Sequence, residues 1–211
     1  SRNIPGEELK SINDSLDLPK IEPKIINEIE DLKIFLGEIM KYKDPSQPIA
    51  IDTETTSLNP FKAELVGIGF CFDNSLKDIV YIPIGHSIEN DNLITGKEKS
   101  PQLGIEEVIN SLQFWFASSE HPKTLQNTKY DRLILLRHGI ILNGVVMDTL
   151  LADYIYDATS KHSLDEISFR EFGFRPTSYN DIVRKGEDFS NVEIKTASLY
   201  CGMDVYLTRR L

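Results

Sequence analysis

The chain has 211 residues, 40% hydrophobic and 27% charged, with a formal net charge of −10. That is length enough for one domain with a sizeable core, and no apolar stretch approaches the roughly 20 residues that span a bilayer. The acidic balance argues against a broad basic surface for duplex DNA, but leaves room for an acidic pocket that meets phosphate through bound cations.

In chain order, residues 1–21 are polar and carry Pro5 and Pro19, which reads as a lead-in with little fixed structure. Over 22–43 the apolar residues Ile25, Ile29, Leu32, Leu36, Ile39 and Met40 recur near 3.6-residue spacing. The pattern predicts an amphipathic helix opened by Pro23 and ended before Asp44-Pro45. Residues 48–53 predict a buried strand, and 64–72 with 78–84 predict a hairpin turning at Asp73-Asn74-Ser75. The three together make an antiparallel meander. His86, with no mechanism attached to it, and the polar stretch 90–102 form a long connection.

Helices are expected over 105–117 and 129–138, the second stopped by Gly139, with a short strand at 124–127 between them. Residues 140–146 read as extended. Asp148 should cap a helix through 156, and Ser163-Leu164-Asp165-Glu166 has capping-box spacing. A polar loop over 176–191 precedes a last helix, 192–211. Strands first, then helices alternating with short strands, predict an α/β domain with a mixed sheet covered by helices. No signal peptide is visible, and Cys71 and Cys201 read as small buried hydrophobes, so a reducing compartment is the default.

The chemistry begins at the end of the first central strand. Side chains two apart on a strand share a face, so Asp52 and Glu54 point to one spot. Like charges that close repel unless a cation or proton lies between them; a lone Asp-x-Glu can equally cap a turn. Asp131 falls in the first turn of a helix, where the macrodipole alone would explain it. Asn127 could orient a neighbour or cap that helix. On the last helix Tyr200 and Asp204, four apart, share a face that continues into Leu207 and Leu211, so Asp204 on that face needs a partner. Gly202 between them is unfavourable by about 1 kcal/mol against alanine, which points to close packing or ligand approach. Asp52, Glu54, Asp131 and Asp204 offer hard oxygen ligands suited to Mg²⁺ or Mn²⁺, and two such ions can clamp an in-line phosphoryl displacement.

IDTETTSL at 51–58, QNTKYDRLIL at 126–135 and YCGMD at 200–204 resemble the three motifs of DEDD-type 3′→5′ exonucleases of the tyrosine subgroup. YIPIGH at 81–86, MDTLLADYI at 147–155, HSLDEIS at 162–168 and the 179–186 stretch resemble the proofreading domain of family A DNA polymerases. The resemblance runs from about 48 to 211 and leaves 1–47 as a lead-in and N-terminal helix. It implies a ribonuclease H-like mixed sheet flanked by helices. It further implies one ion on Asp52, Glu54 and Asp204 and a second on Asp52 and Asp131, with Tyr200 and Glu54 orienting the attacking water. Leu58 and Tyr179 match positions that pack on terminal bases, with core or loop packing as the competing reading for both; Asn127 matches one near the terminal nucleotide.

The expected substrate is a single-stranded or frayed DNA 3′ end. The expected setting is a monomer joined to a polymerase domain, serving replication and repair in the bacterial cytoplasm and nucleoid or in an organelle of bacterial origin. An RNA-trimming enzyme like ribonuclease D or the Werner-type exonucleases would use the same carboxylates, and a non-catalytic brace for a polymerase is the third reading.

Overall fold

The computed structural model describes residues 19–73, 75–87, 89–92 and 96–211. Its eight strands are β1 Lys24–Ile25, β2 Ile49–Thr55, β3 Leu65–Cys71, β4 Ile79–Pro83, β5 Glu89–Asn92, β6 Gly96–Lys99, β7 Lys123–Leu125 and β8 Val145–Asp148. Its helices are α1 Ile29–Ile39, α2 Ile105–Ala117, α3 Thr128–Arg137, α4 Thr149–Tyr156, α5 Leu164–Phe172, the single turn α6 Tyr179–Ile182, and α7 Ile194–Arg210.

Six strands form one sheet in the order β1-β4-β3-β2-β7-β8. The β2-β3-β4 meander is antiparallel as expected, while β1 on β4, β7 on β2 and β8 on β7 pair in parallel. Helices cover both faces of this mixed sheet, which is why β3 and β4 are buried along their whole length. On one face Ile49, Ile51, Ile68, Phe70 and Ile82 pack against Leu32 and Phe35 of α1, Leu112 and Trp115 of α2, and Ile134 and Leu135 of α3. On the other, Ala50, Cys71 and Ile79 meet Met203, Val205 and Leu207 of α7, while Val66 and Tyr81 meet its Ala197 and Cys201.

Four expectations need correction. The helix predicted over 22–43 is shorter. Lys24 and Ile25 pair instead with Val80 and Tyr81, and the Ile26 N–H donates to the Tyr81 carbonyl (2.9 Å). The open edge of β4 wins the backbone groups that a helix would have used. Residues 1–18 of the lead-in lie outside the described residues, but Ile21 is buried against the α7 layer. The connection after His86 holds a hairpin, β5 on β6. Ser163 makes no capping hydrogen bond; its hydroxyl goes to Asp165, whose pKa is lowered first by that bond.

Other local predictions match the geometry. Asp148 accepts from the backbone N–H groups of Leu150 (3.1 Å) and Leu151 (3.3 Å). It also accepts from those of Asn127 (3.2 Å) and Thr128 (2.9 Å), so one carboxylate starts both α4 and α3. Among the described residues no helix is long and apolar enough to cross a membrane.

Candidate active site

Three elements deliver the acidic side chains. The end of β2 presents Asp52 and Glu54 toward α7, whose Cys201 belongs to the same group: one ligand atom from each lies within 4.8 Å of the others. Thr53, between them, faces the opposite way. Its backbone N–H and hydroxyl both donate to Asp131 Oδ1, at 3.1 and 2.7 Å. Asp131 therefore approaches β2 from the α3 side of the sheet, and Asp204 from the α7 side. β2 ends between the two layers, so Asp52 and Glu54 share one group with Cys201 while Asp131 is tied to Thr53 on the opposite face.

Asp131 and Asp204 lie outside that 4.8 Å group but act on it through their charge. Burial raises all four carboxyls. Asp52 is pushed up to about 7, with hydrogen bonds from the Thr53 N–H and the Cys201 thiol pulling the other way. Glu54 is raised well above the ordinary range by burial, then by the charges of Asp52 and Asp204. Asp131 is raised by burial and then by Asp52, against its Thr53 hydrogen bonds. Asp204 is raised by burial, then by Asp52 and Asp165. Protons therefore leave the cluster as a set rather than residue by residue.

Glu54 is 7% exposed, and its Oε1 is buried with no hydrogen-bond partner. A buried carboxylate oxygen with no hydrogen-bond donor, beside a second carboxylate, is an atom that a cation or a proton stabilises. The carboxylate oxygens of Asp52 and Glu54 fit a hard divalent cation, with the Cys201 sulfur beside them.

Tyr200 lies one α7 turn before Asp204. Burial, then the charges of Asp204, Glu54 and Asp52, raise its phenol far above the usual range, so it remains a proton donor at any working pH. Its ring contacts Phe189 (centroids 5.7 Å apart), on which Tyr179 stacks at 6.3 Å and 28°. Tyr179 is thus half-packed against the loop and 40% exposed, and the Glu54 charge reaches it. Leu58 is 94% exposed, so core packing does not explain it. Asn127 is an exposed N-cap in the left-handed region (φ 64°, ψ 53°) whose side chain makes no capping bond.

Several contributors escaped sequence reasoning. Tyr130 and Arg137 of α3 hold the loop that carries Leu58. The Tyr130 hydroxyl donates to the Ser57 carbonyl (2.5 Å) and meets the Thr55 hydroxyl, while Arg137 donates to the carbonyls of Pro60 (3.0 Å) and Ala63. Their i, i+7 spacing on one helix was the available signal. A β-bulge also went unseen: Glu54 and Thr55 pair with Gly67 and Leu65, leaving Val66 unopposed beside the acidic cluster. Nothing in the local sequence marks it. Gly202, flagged for packing or ligand approach, serves packing, since a Cβ there would stand 2.7 Å from Pro23 Cγ and 3.2 Å from Ile79 Cγ2. His86 is a satisfied core histidine. Its Nδ1 donates to the Val192 carbonyl (2.9 Å), so Nε2 accepts from the Tyr81 hydroxyl (2.8 Å).

The fold has counterparts among solved structures. Ribonuclease D of Trypanosoma brucei superposes with a TM-score of 0.64 at 14% identity, covering 90% of this chain and 62% of that one. The POL domain of Pol1 from M. smegmatis gives 0.56 at 19% identity, over 89% and 26%. The fold is therefore the ribonuclease H-like α/β fold. In sequence, the 3′-5′ exonuclease family model matches residues 23–211, and the chain belongs to that family. DNA polymerase I of Synechocystis sp. is 36% identical over 197 residues, 92% of this chain and 19% of that protein. DNA polymerase I of Rhizobium leguminosarum is 32% identical over 174 residues, 77% and 17%. The chain thus spans about a fifth of the length of these curated relatives.

Proposed function

We propose that this domain is the proofreading unit of a DNA polymerase I-like enzyme, hydrolysing single-stranded or frayed DNA 3′ ends to nucleoside monophosphates with two Mg²⁺ or Mn²⁺ ions. The observation that carries the metal-dependent reading is the buried, donorless Glu54 Oε1 within a group of mutually repelling carboxylates. The choice of DNA rests on the polymerase I relatives, since the ribonuclease D likeness, at 14% identity, speaks to fold alone.

In this reading Asp52, Glu54 and Asp204 would hold one ion and Asp52 with Asp131 the other, the Thr53 hydrogen bonds fixing Asp131 through Oδ1. Divalent ions held there acidify water and neutralise charge on the phosphodiester. Tyr200, protonated throughout, orients the attacking water by its hydroxyl, with Glu54 as acceptor. Leu58 and Tyr179 offer an apolar edge and an aromatic face to the terminal bases, a sequence-tolerant contact suited to any 3′ end. Asn127 lies near the terminal nucleotide. Residues 48–211 carry the whole of this machinery. The rest of the parent enzyme supplies the duplex grip that a net charge of −10 does not.

The test is Mg²⁺-dependent shortening of a 3′-labelled single strand, beside a 5′-blocked strand and an RNA of the same sequence. Stepwise loss from the 3′ end of both DNA strands, abolished by chelator and faster than on RNA, is the expected result. Preference for RNA moves the domain to the ribonuclease D branch. Failure to bind Mn²⁺ by a folded chain leaves only the bracing role, which the four retained carboxylates speak against.

A further inference from the structure

The side chain completing the acidic group at the end of β2 is a thiol. Cys201 is fully buried, and its Sγ lies 3.9 Å from Asp52 Oδ2, in the group of ligand atoms that also includes Glu54. Space is made for it. Gly69 pairs with Asp52 across β2 and β3, and a Cβ at residue 69 would stand 2.4 Å from Sγ. The missing side chain of Gly69 lets sulfur sit beside the carboxylate. Glu54, over nine-tenths buried, contributes an oxygen to this group, and its Oε1 is unpartnered.

We propose that Asp52, Glu54 and Cys201 form a mixed oxygen–sulfur site that takes a thiophilic divalent cation, of the Zn²⁺ or Cd²⁺ type, in competition with the hard ions of hydrolysis. The inference rests on the reading that Asp52 and Glu54 hold a metal and adds a ligand to it. Carboxylate oxygens alone favour Mg²⁺ and Mn²⁺; a thiolate shifts preference toward softer ions. With Zn–S near 2.3 Å and Zn–O near 2.0–2.2 Å, ligand atoms around a tetrahedral ion stand about 3.4–3.6 Å apart. The 3.9 Å between Cys201 Sγ and Asp52 Oδ2 is within a few tenths of an ångström of that, and the group as a whole, within 4.8 Å, closes by about an ångström at most. On binding, the metal replaces the thiol proton, which passes to solvent, and no electron is transferred. The consequence is a domain whose hydrolysis is blocked by low zinc or cadmium even when magnesium is abundant. The competing explanation is that Cys201 only packs against Val66, Tyr81 and Ala197.

The chain has two cysteines, so the assignment is unambiguous. The metal-free domain is titrated with Cd²⁺ while the thiolate-to-cadmium charge-transfer absorption is followed, and Mn²⁺ binding is measured in parallel. The wild type and C71S should develop the band at one equivalent, and C201S and C201A should not. In C201S the Cd²⁺ affinity relative to Mn²⁺ should fall by about tenfold or more. Thermal melts establish that the Cys201 variants are folded. Should they not be, D52N, which keeps the thiol, must weaken Cd²⁺ binding and its band. A band that survives in C201S or C201A, a wild type without one, an unchanged Cd²⁺-to-Mn²⁺ ratio, or D52N with full Cd²⁺ affinity each overturns the proposal. Loss of the underlying metal reading would show differently, as a wild type that binds no Mn²⁺.

Discussion

β2 and β4 run in the same direction, and each delivers a polar side chain to the same end of the sheet, Glu54 from one and His86 from just beyond the other. Both are nearly inaccessible, at 7% and 3%. Yet every ring nitrogen of His86 has a partner, and its backbone is locked by Gln102 through two further hydrogen bonds, at 2.9 and 2.8 Å. Glu54 keeps an oxygen with none and sits among like charges. Lys123 sides with His86: its buried ammonium donates to the carbonyls of Ser118 (3.0 Å) and His121 (2.7 Å) beneath the Trp115 ring. A buried polar group whose bonding is complete belongs to the architecture. An unpartnered oxygen alone does not set Glu54 apart, since Trp115 Nε1 and Ser168 Oγ are also buried without one; its place among like charges does.

The comparison breaks first at the acidic end. D52N or D204N should lower the exonuclease rate by about 10²–10³-fold or more. In chelator the melting temperature should hold or rise, because each change removes repulsion; a variant that instead unfolds marks its carboxylate as structural. At the other end H86A should do the reverse. Loss of both ring bonds and the volume of the imidazole should lower stability by about 2–4 kcal/mol in denaturant titrations, with the rate per folded molecule little changed. Equal damage to stability from both sites would erase the distinction. Y200F should slow cleavage by about tenfold or more while Mn²⁺ binding stays intact, separating the orienting of water from the holding of metal. An unchanged rate removes Tyr200 from the chemistry.

Acidity sharpens the contrast, because the two ends respond with opposite sign. Below about pH 4 the cluster is protonated in folded and unfolded chains alike, and its burial is harmless. As pH rises from there through about 7, the value for Asp52, the unfolded chain gives up protons that the folded one retains, so stability falls. Burial holds His86 below its ordinary value of about 6.5, so as pH drops the unfolded chain takes up a proton that the folded one refuses, and stability falls in that direction. Melting curves in chelator should show D52N reducing the loss at high pH by about 1–3 kcal/mol without altering the low-pH limb. Saturating Mn²⁺ should raise the midpoint more at pH 8 than at pH 5, since the ion binds the deprotonated set. The smallest effect is expected at Gly202. G202A improves helix propensity by about 1 kcal/mol yet drives a methyl into Pro23 and Ile21, so the net change should be a loss of about 1 kcal/mol without effect on metal binding. A gain in stability would mean that the N-terminal segment gives way freely.

Much of this was legible in the residues themselves. The alternation of β2 put Asp52 and Glu54 on one face, and the 3.6-residue repeat put Tyr200 and Asp204 on one side of α7, because both depend only on local backbone geometry. Asp148 announced its helix for the same reason, as a side chain that reaches its own backbone. Four particulars needed the whole molecule. Lys24 and Ile25 left a helical pattern for the edge of β4, since a strand edge across the fold offered partners that the local sequence could not reveal. The bulge at Val66 shows only in the pairing of β3 with β2, where the register shifts between Glu54 and Thr55. The approach of Asp131 and Asp204 to β2 from opposite layers, and the thiol set between Asp52 and Glu54 over Gly69, follow from packing. Spacing along the chain decides which face a side chain takes; only the closing of the sheet between its helices decides which faces meet.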